Sequence, residues 1–221
     1  MRLVNSINDI SDGKVYDIDD TVKADTDGCV GCSDCCKDVG DLVVLNPLDM
    51  YMLVKNINKE FEELINDKLK LIEENKILLP HLNMKEDKSC SFLNKEGRCE
   101  IHSSRPNICR LFPLGRMYLD NDIKYFLQVN NCPKDNLKEI GLKEWIGVEN
   151  YSKNKEFLLE WYKFIKALTF RLKFIRDEDE LKNINQILLD NFYRNYLYQT
   201  DNFYDRFFEK IPKIKNELGI L

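Results

Sequence analysis

Four of the chain's eight cysteines fall within eight residues, in the run Cys29-Val30-Gly31-Cys32-Ser33-Asp34-Cys35-Cys36. The others, Cys90, Cys99, Cys109 and Cys132, follow within the next hundred positions. Thiolates hold zinc and iron–sulfur clusters, and a C-x2-C spacing lets two sulfurs of one short loop reach a common centre. Here that spacing occurs twice in succession and ends on a vicinal pair. Adjacent cysteines rarely bridge each other, because the small ring strains the intervening peptide, so Cys35 and Cys36 are expected to face different partners. Gly28, Gly31, Ser33 and Asp34 give the run a turn-forming context without the apolar period that surrounds core thiols. A chain of this kind is expected to fold around a metal.

With 221 residues the chain buries enough surface to be stable without staples, so its thiols are not the rescue of a coreless mini-protein. Neither a signal-like apolar stretch nor a membrane-length apolar run occurs, which is the pattern of a cytoplasmic protein with reduced thiols and no membrane partner. The net charge of −5 comes without a basic stripe, so nucleic acid is not an expected partner. Residues 1–40 hold nine aspartates against Arg2, Lys14, Lys23 and Lys37, and carry the whole formal excess. A solvated acidic arm accounts for this, with docking of a basic partner as the alternative.

The expected fold is α+β and predominantly helical. An acidic, irregular or weakly extended arm (1–27) leads into a cysteine-rich metal-binding region with a short β-hairpin (28–136), and a helical region (137–221) follows. A short strand is read at 41–45, and Asn46-Pro47 opens a helix as N-cap and first residue. Phe61, Leu64, Ile65, Leu69 and Ile72 recur at helical steps and predict a second helix over 59–76, followed by a polar connection over 80–88. Residues 94–97 form a turn, and a brief helix between Ser104 and Pro113 carries Cys109. Segments 117–120 and 123–129 read as the hairpin. Phe157, Trp161, Phe164, Ile165, Leu168, Leu172 and Ile175 form a helical stripe. Asp177 with Glu180 opens another helix, and Thr200 begins an aromatic one with Phe203, Phe207 and Ile211.

Eight thiolates supply two four-coordinate sites, or one cluster with extra sulfurs. His102, three residues after Cys99, is a possible nitrogen ligand or a hydrogen-bonding neighbour, and His81 reads as structural. Arg98, Arg105 and Arg110 stand beside Cys99 and Cys109, where guanidinium groups offset thiolate charge.

CVGCSDCC, then CSFL, then C-x-I-H-x-x-R-P-x-x-C-R-x-F-P and finally Cys132-Pro133 resemble the CxxCxxCC, or YkgJ-type, cysteine cluster family of zinc- or iron-chelating proteins. The resemblance runs from Cys29 to Pro133 and extends to flagellin lysine N-methylases. It implies metal ligation by Cys29, Cys32, Cys35, Cys36, Cys90, Cys99, Cys109 and Cys132, with an iron–sulfur cluster of the 4Fe–4S type or zinc as the cofactor. The family often shows a tyrosine where this chain has His102. Kinship with the methylases implies S-adenosylmethionine as cofactor and a lysine-bearing protein as partner. The residues themselves carry no G-x-G-x-G loop, and Val39 stands where a radical enzyme's third cysteine would be. Tyr118 and Tyr125 are the candidates for a base under that alternative, against strand packing as the simpler role.

Overall fold

The computed structural model describes residues 10–26, 32–129, 131–194 and 201–220. Over these the fold is α+β, with small antiparallel hairpins among short helices in the cysteine-bearing half and long helices at the C-terminus. β1 (Thr21–Asp25) pairs with β6 (Lys138–Gly141), β2 (Leu69–Glu74) with β3 (Ile77–Leu82), and β4 (Leu114–Tyr118) with β5 (Ile123–Leu127). The short helices are α1 (Pro47–Ile57), α2 (Phe61–Leu64), α3 (Asn107–Leu111) and α4 (Leu142–Ile146). The long ones are α5 (Tyr151–Leu172), α6 (Glu178–Phe192) and α7 (Phe203–Glu217). No helix among the described residues is long and apolar enough to cross a membrane.

α1 begins as its sequence dictates. Asn46 Oδ1 accepts from Asp49 N (3.0 Å), Asp49 Oδ2 accepts from Asn46 N (3.0 Å), and Pro47 fills the first turn where no N–H is needed. Asp177 caps α6 through Asp179 N and Glu180 N (2.9 and 2.8 Å). The aromatic stripe of α5 is core: Phe157, Phe164, Leu168 and Leu172 are fully buried, and the Phe157 ring meets Phe207 of α7 edge-on at 4.7 Å. Thr200 lies outside the described residues, and Asn202 holds the N-cap position of α7 without a side-chain capping bond.

The predicted helix over 59–76 is not formed. Only α2, a single turn, survives of it, and the chain then folds into the β2–β3 hairpin. Asn75 and Lys76 take φ of 52° and 68°, the left-handed pair that closes a two-residue hairpin between Glu74 and Ile77. Helix α6 locks the pairing from outside, because Asn185 accepts from Leu78 N (2.7 Å) and donates to Lys76 O (3.0 Å). Lys76 Nζ also reaches Leu172 O and Ile175 O where α5 ends (3.1 and 2.6 Å), which sets a cation at the negative end of the helix dipole. The polar connection expected from residue 80 is correspondingly replaced by buried strand: Pro80, His81 and Leu82 belong to β3. Residues 43–45 lie along β3 through Leu45 N to Pro80 O (2.9 Å) and Leu82 N to Val43 O (3.0 Å), without forming a full strand.

The acidic N-terminal segment is paired through its backbone over its described part, while Asp17, Asp19 and Asp20 remain exposed. Tyr16 and Tyr125 exchange two backbone hydrogen bonds (2.8 and 3.0 Å), and β1 buries Val22 and Ala24 against the rest of the core. Thr21 and Lys23 take the outward positions of this alternating strand, and Asp17, Asp19 and Asp20 stand exposed in the turn before it, so high charge and a buried face coexist.

Candidate metal centre

The first cysteine run enters the described structure at Cys32; Cys29 lies outside it. Asp34–Cys36 forms a 3₁₀ turn closed by Cys36 N to Ser33 O (2.9 Å), and the chain then runs antiparallel to residues 88–90. Asp38 N donates to Lys88 O (3.0 Å), and Cys90 N donates to Cys36 O (2.8 Å). The two cysteine groups, more than fifty residues apart in sequence, are thus sewn together through main-chain atoms of two cysteines.

The hairpin missed by helical periodicity is the platform for this junction. Asn83 N donates to Lys68 O, Ser91 N donates to Asn83 O, and Ser91 Oγ returns to Lys68 O, each at 2.9 Å. Cys90 and Cys99 then occupy equivalent local settings, joined by Glu100 N to Phe92 O (2.9 Å) and by the bridge between Leu93 and Cys99. In each, the backbone N–H two residues on, Phe92 or Ile101, points to the sulfur and lowers the cost of its thiolate. The turn at 94–97 puts Gly97 at φ 71°, where a Cβ would come within 3.8 Å of Ser33 Oγ, so the second loop lies close to the first. Cys109 comes from α3, whose first residue is anchored from α1: the buried Asp49 Oδ1 accepts from Asn107 N (2.7 Å) and Nδ2 (3.0 Å).

Cys35, Cys36, Cys90, Cys99 and Cys109 share one electrostatic neighbourhood. Cys35 Sγ and Cys36 Sγ stand 4.0 Å apart, too far for a disulfide bond. The Cys35 thiol is drawn below its ordinary value, first by its hydrogen-bonding contact with Cys36, with the Arg105 guanidinium adding to the effect and burial opposing it. Cys36 is pushed up, first by that same contact with Cys35 and then by burial. Burial raises Cys90, Cys99 and Cys109. Cys32 is half-buried ahead of the 3₁₀ turn, and Cys132 is half-buried in the bend after β5. Among the described residues no three His, Cys, Asp or Glu side chains already close on a point as metal ligands do.

His102 accepts at Nε2 from Arg105 Nη1 (3.0 Å), and burial, then Arg105, Arg98 and Arg110, holds it below the ordinary imidazole value. His81 is fully buried and donates from Nδ1 to Asp41 O (2.7 Å), the structural role expected of it. Arg110 Nε donates to Arg105 O (3.1 Å), which fixes the loop carrying Arg105. Tyr125 OH meets Tyr151 OH at 3.1 Å, and Tyr118 stacks on Tyr162 at 4.4 Å, so both tyrosines pack between strand and helix. Sequence reasoning missed Asp49 and the paired N–H donors. The signals were present as a carboxylate three residues after an Asn cap, and as cysteine followed by an apolar residue at i+2 in both CSF and CEI.

The donor set suits a thiophilic metal. Thiols that are mostly half-buried, beside directed N–H groups and one guanidinium, gain a charge-stabilised state once a cation displaces their protons. The class these features describe is a cysteine-rich domain with the donor types of a chelating protein. Residues 28–133 match the CxxCxxCC family, described as "Putative zinc- or iron-chelating domain", a span that takes in all eight cysteines and just under half of the chain. No curated protein and no solved structure matches the chain, so the implied kinship with flagellin lysine N-methylases has no matching relative behind it.

Proposed function

We propose that the protein binds an iron–sulfur cluster through thiolates drawn from its eight cysteines, with Cys35, Cys36, Cys90, Cys99 and Cys109 at the heart of the site. The observation that carries this reading is the hydrogen bond from Cys90 N to Cys36 O (2.8 Å), which lays one cysteine group on the other. Four thiolates fill a closed zinc site or hold an iron–sulfur cluster, so five sulfurs in one neighbourhood are enough for either and leave one to spare. The N–H groups of Phe92 and Ile101 supply the hydrogen bonds to sulfur that tune such clusters. Binding ties the 3₁₀ turn, the 90–99 loop and α3 into one unit, so the metal contributes folding free energy.

Anaerobic purification followed by iron, zinc and sulfide analysis tests the reading. The expected protein is brown, absorbs broadly near ~400 nm, and loses both metal and colour on Cys90→Ser substitution. A colourless protein with stoichiometric zinc overturns the iron assignment. A Cys90→Ser protein that keeps its full metal content overturns the site.

A further inference from the structure

α5 buries Phe164, Leu168 and Leu172 on one side, and on the other it presents Tyr162, Lys166, Phe170 and Lys173 at three- and four-residue steps. The β4–β5 hairpin covers the first part of that outer side: Tyr118 stacks on Tyr162, Asn121 Oδ1 accepts from Lys163 Nζ (3.0 Å), and Asp122 pairs with Lys155 (2.5 Å). The cover ends there. Phe170 and Phe174, the latter just past the helix end, are 62 % and 71 % exposed, and their rings meet each other edge-on at 5.3 Å. Residues 162–176 hold Lys163, Lys166, Arg171, Lys173 and Arg176 and no carboxylate, in a chain of net charge −5. Arg171 lies about 100° round the helix from Phe170 and is taken by Glu180 (3.3 Å), whereas the other four form no ion pair among the described residues. The carboxylates that follow are engaged elsewhere, Asp177 by N–H groups of α6 and Asp179 by Lys182.

We propose that this face docks on an anionic lipid surface, with Phe170 and Phe174 entering between headgroups and Lys163, Lys166, Lys173 and Arg176 on the headgroup charges. Exposed aromatic rings flanked by lysines on one helix face are the pattern of a helix that lies in a membrane interface, and the lysine stems let the ammonium groups stay at headgroup level. The shape favours lipid over a peptide. The apolar hollow on this face is lined by α5 and its end alone, from Tyr162 to Lys173, so it has no second wall to grip a chain. A second copy of the same face is disfavoured by charge, since unpaired cations would meet unpaired cations. Exposed charges act over about 8 Å at physiological salt, so these local cations outweigh the negative charge carried elsewhere on the chain. Lying on a leaflet needs no spanning helix, and none among the described residues crosses a membrane, so the missing membrane-length run that argued against a membrane partner does not bear on this face.

Co-sedimentation of the full-length, metal-loaded protein with lipid vesicles tests the proposal. At about 0.1 M salt, vesicles of phosphatidylcholine with about 30 % phosphatidylserine should bind the protein about tenfold or more tightly than phosphatidylcholine alone. Lys166→Gln combined with Lys173→Gln should weaken this binding about twentyfold, each lysine near such a surface contributing about fivefold. Phe170→Ser combined with Phe174→Ser should weaken it about tenfold or more, with Tm and metal content unchanged because both rings are exposed. Absence of binding to the anionic vesicles at about 1 mM lipid, or binding unchanged in either double variant, overturns the proposal. A complex with polyglutamate or a single-stranded oligonucleotide that depends on Phe170 and Phe174, in place of vesicle binding, overturns it as well and assigns the face to an acidic chain or a nucleic acid. Metal content measured on every variant keeps these outcomes separate from failure of the cluster assignment.

Discussion

Replacing Asp49 by Ala removes the carboxylate that joins α1 to α3, and thereby the anchor of the segment carrying Cys109. The side chain is 4 % exposed and accepts three hydrogen bonds: Asn46 N (3.0 Å), Asn107 N (2.7 Å) and Asn107 Nδ2 (3.0 Å). A buried donor left without its partner costs about 1–3 kcal/mol. Asn46 lies near enough to the surface to recruit water, whereas Asn107 is buried, so its two donors dominate. Relief of the buried charge offsets part of the loss, because burial already raises the Asp49 carboxyl above its ordinary value. The net expectation is about 3 kcal/mol, which for a chain of this size lowers Tm by about 6–12 °C.

The sign of the pH dependence follows from the raised carboxyl. Between the ordinary carboxylate range and the raised folded value, the folded state holds a proton that the unfolded state has released, so this group's contribution to stability falls as pH rises. Asp49→Asn cannot titrate, and its stability relative to wild type should therefore rise with pH through that window. Urea unfolding of wild type, Asp49→Ala and Asp49→Asn from about pH 4 to pH 8 measures both effects. Asp49→Ala should also release metal to a chelator about tenfold more readily, since α3 loses its positioning partner. An Asp49→Ala protein within about 0.5 kcal/mol of wild type, or an Asp49→Asn difference flat across that pH range, would refute the reasoning.

Phe207→Ala should cost about 3–5 kcal/mol in urea unfolding, because its fully buried ring packs on Phe157, Trp161, Phe192 and Phe203, while metal content stays unchanged. Val22→Ser, at a position 2 % exposed, should cost about 2 kcal/mol and speed amide exchange in β6; an N-terminal segment that is merely solvated would show neither effect. Removing metal with a strong chelator under reducing conditions should lower Tm and raise amide exchange most at residues 36–38 and 88–90, where the two cysteine groups meet. A uniform change across the chain would contradict a local fastening.

Signals confined to one turn or one helix face were legible in the sequence. The Asn46-Pro47 opening, the Asp177 cap and the α5 stripe of Phe157, Phe164 and Leu168 all stand where local rules put them, because capping and amphipathic burial are decided within a few residues. The segment after Phe61 was misread because its apolar spacing fits both periods over so short a stretch. What decided it was a left-handed Asn75-Lys76 turn held by α5 and α6, roughly a hundred residues away in sequence. Pairing of the acidic segment was hidden for the same reason: β1 finds its partner in β6, beyond both cysteine groups.

The sequence by itself determined the chemistry, since residue type alone makes a thiol a ligand, and the spacing of eight cysteines together with the family match over residues 28–133 points to zinc or iron chelation. Only the tertiary structure decided which thiols become neighbours. Cys36 meets Cys90 through a backbone hydrogen bond that rests on an unforeseen hairpin, and Cys109 is held in place by a carboxylate on α1. Ligand identity is a local property of side chains, whereas their convergence depends on contacts between distant segments, which no short stretch of sequence encodes.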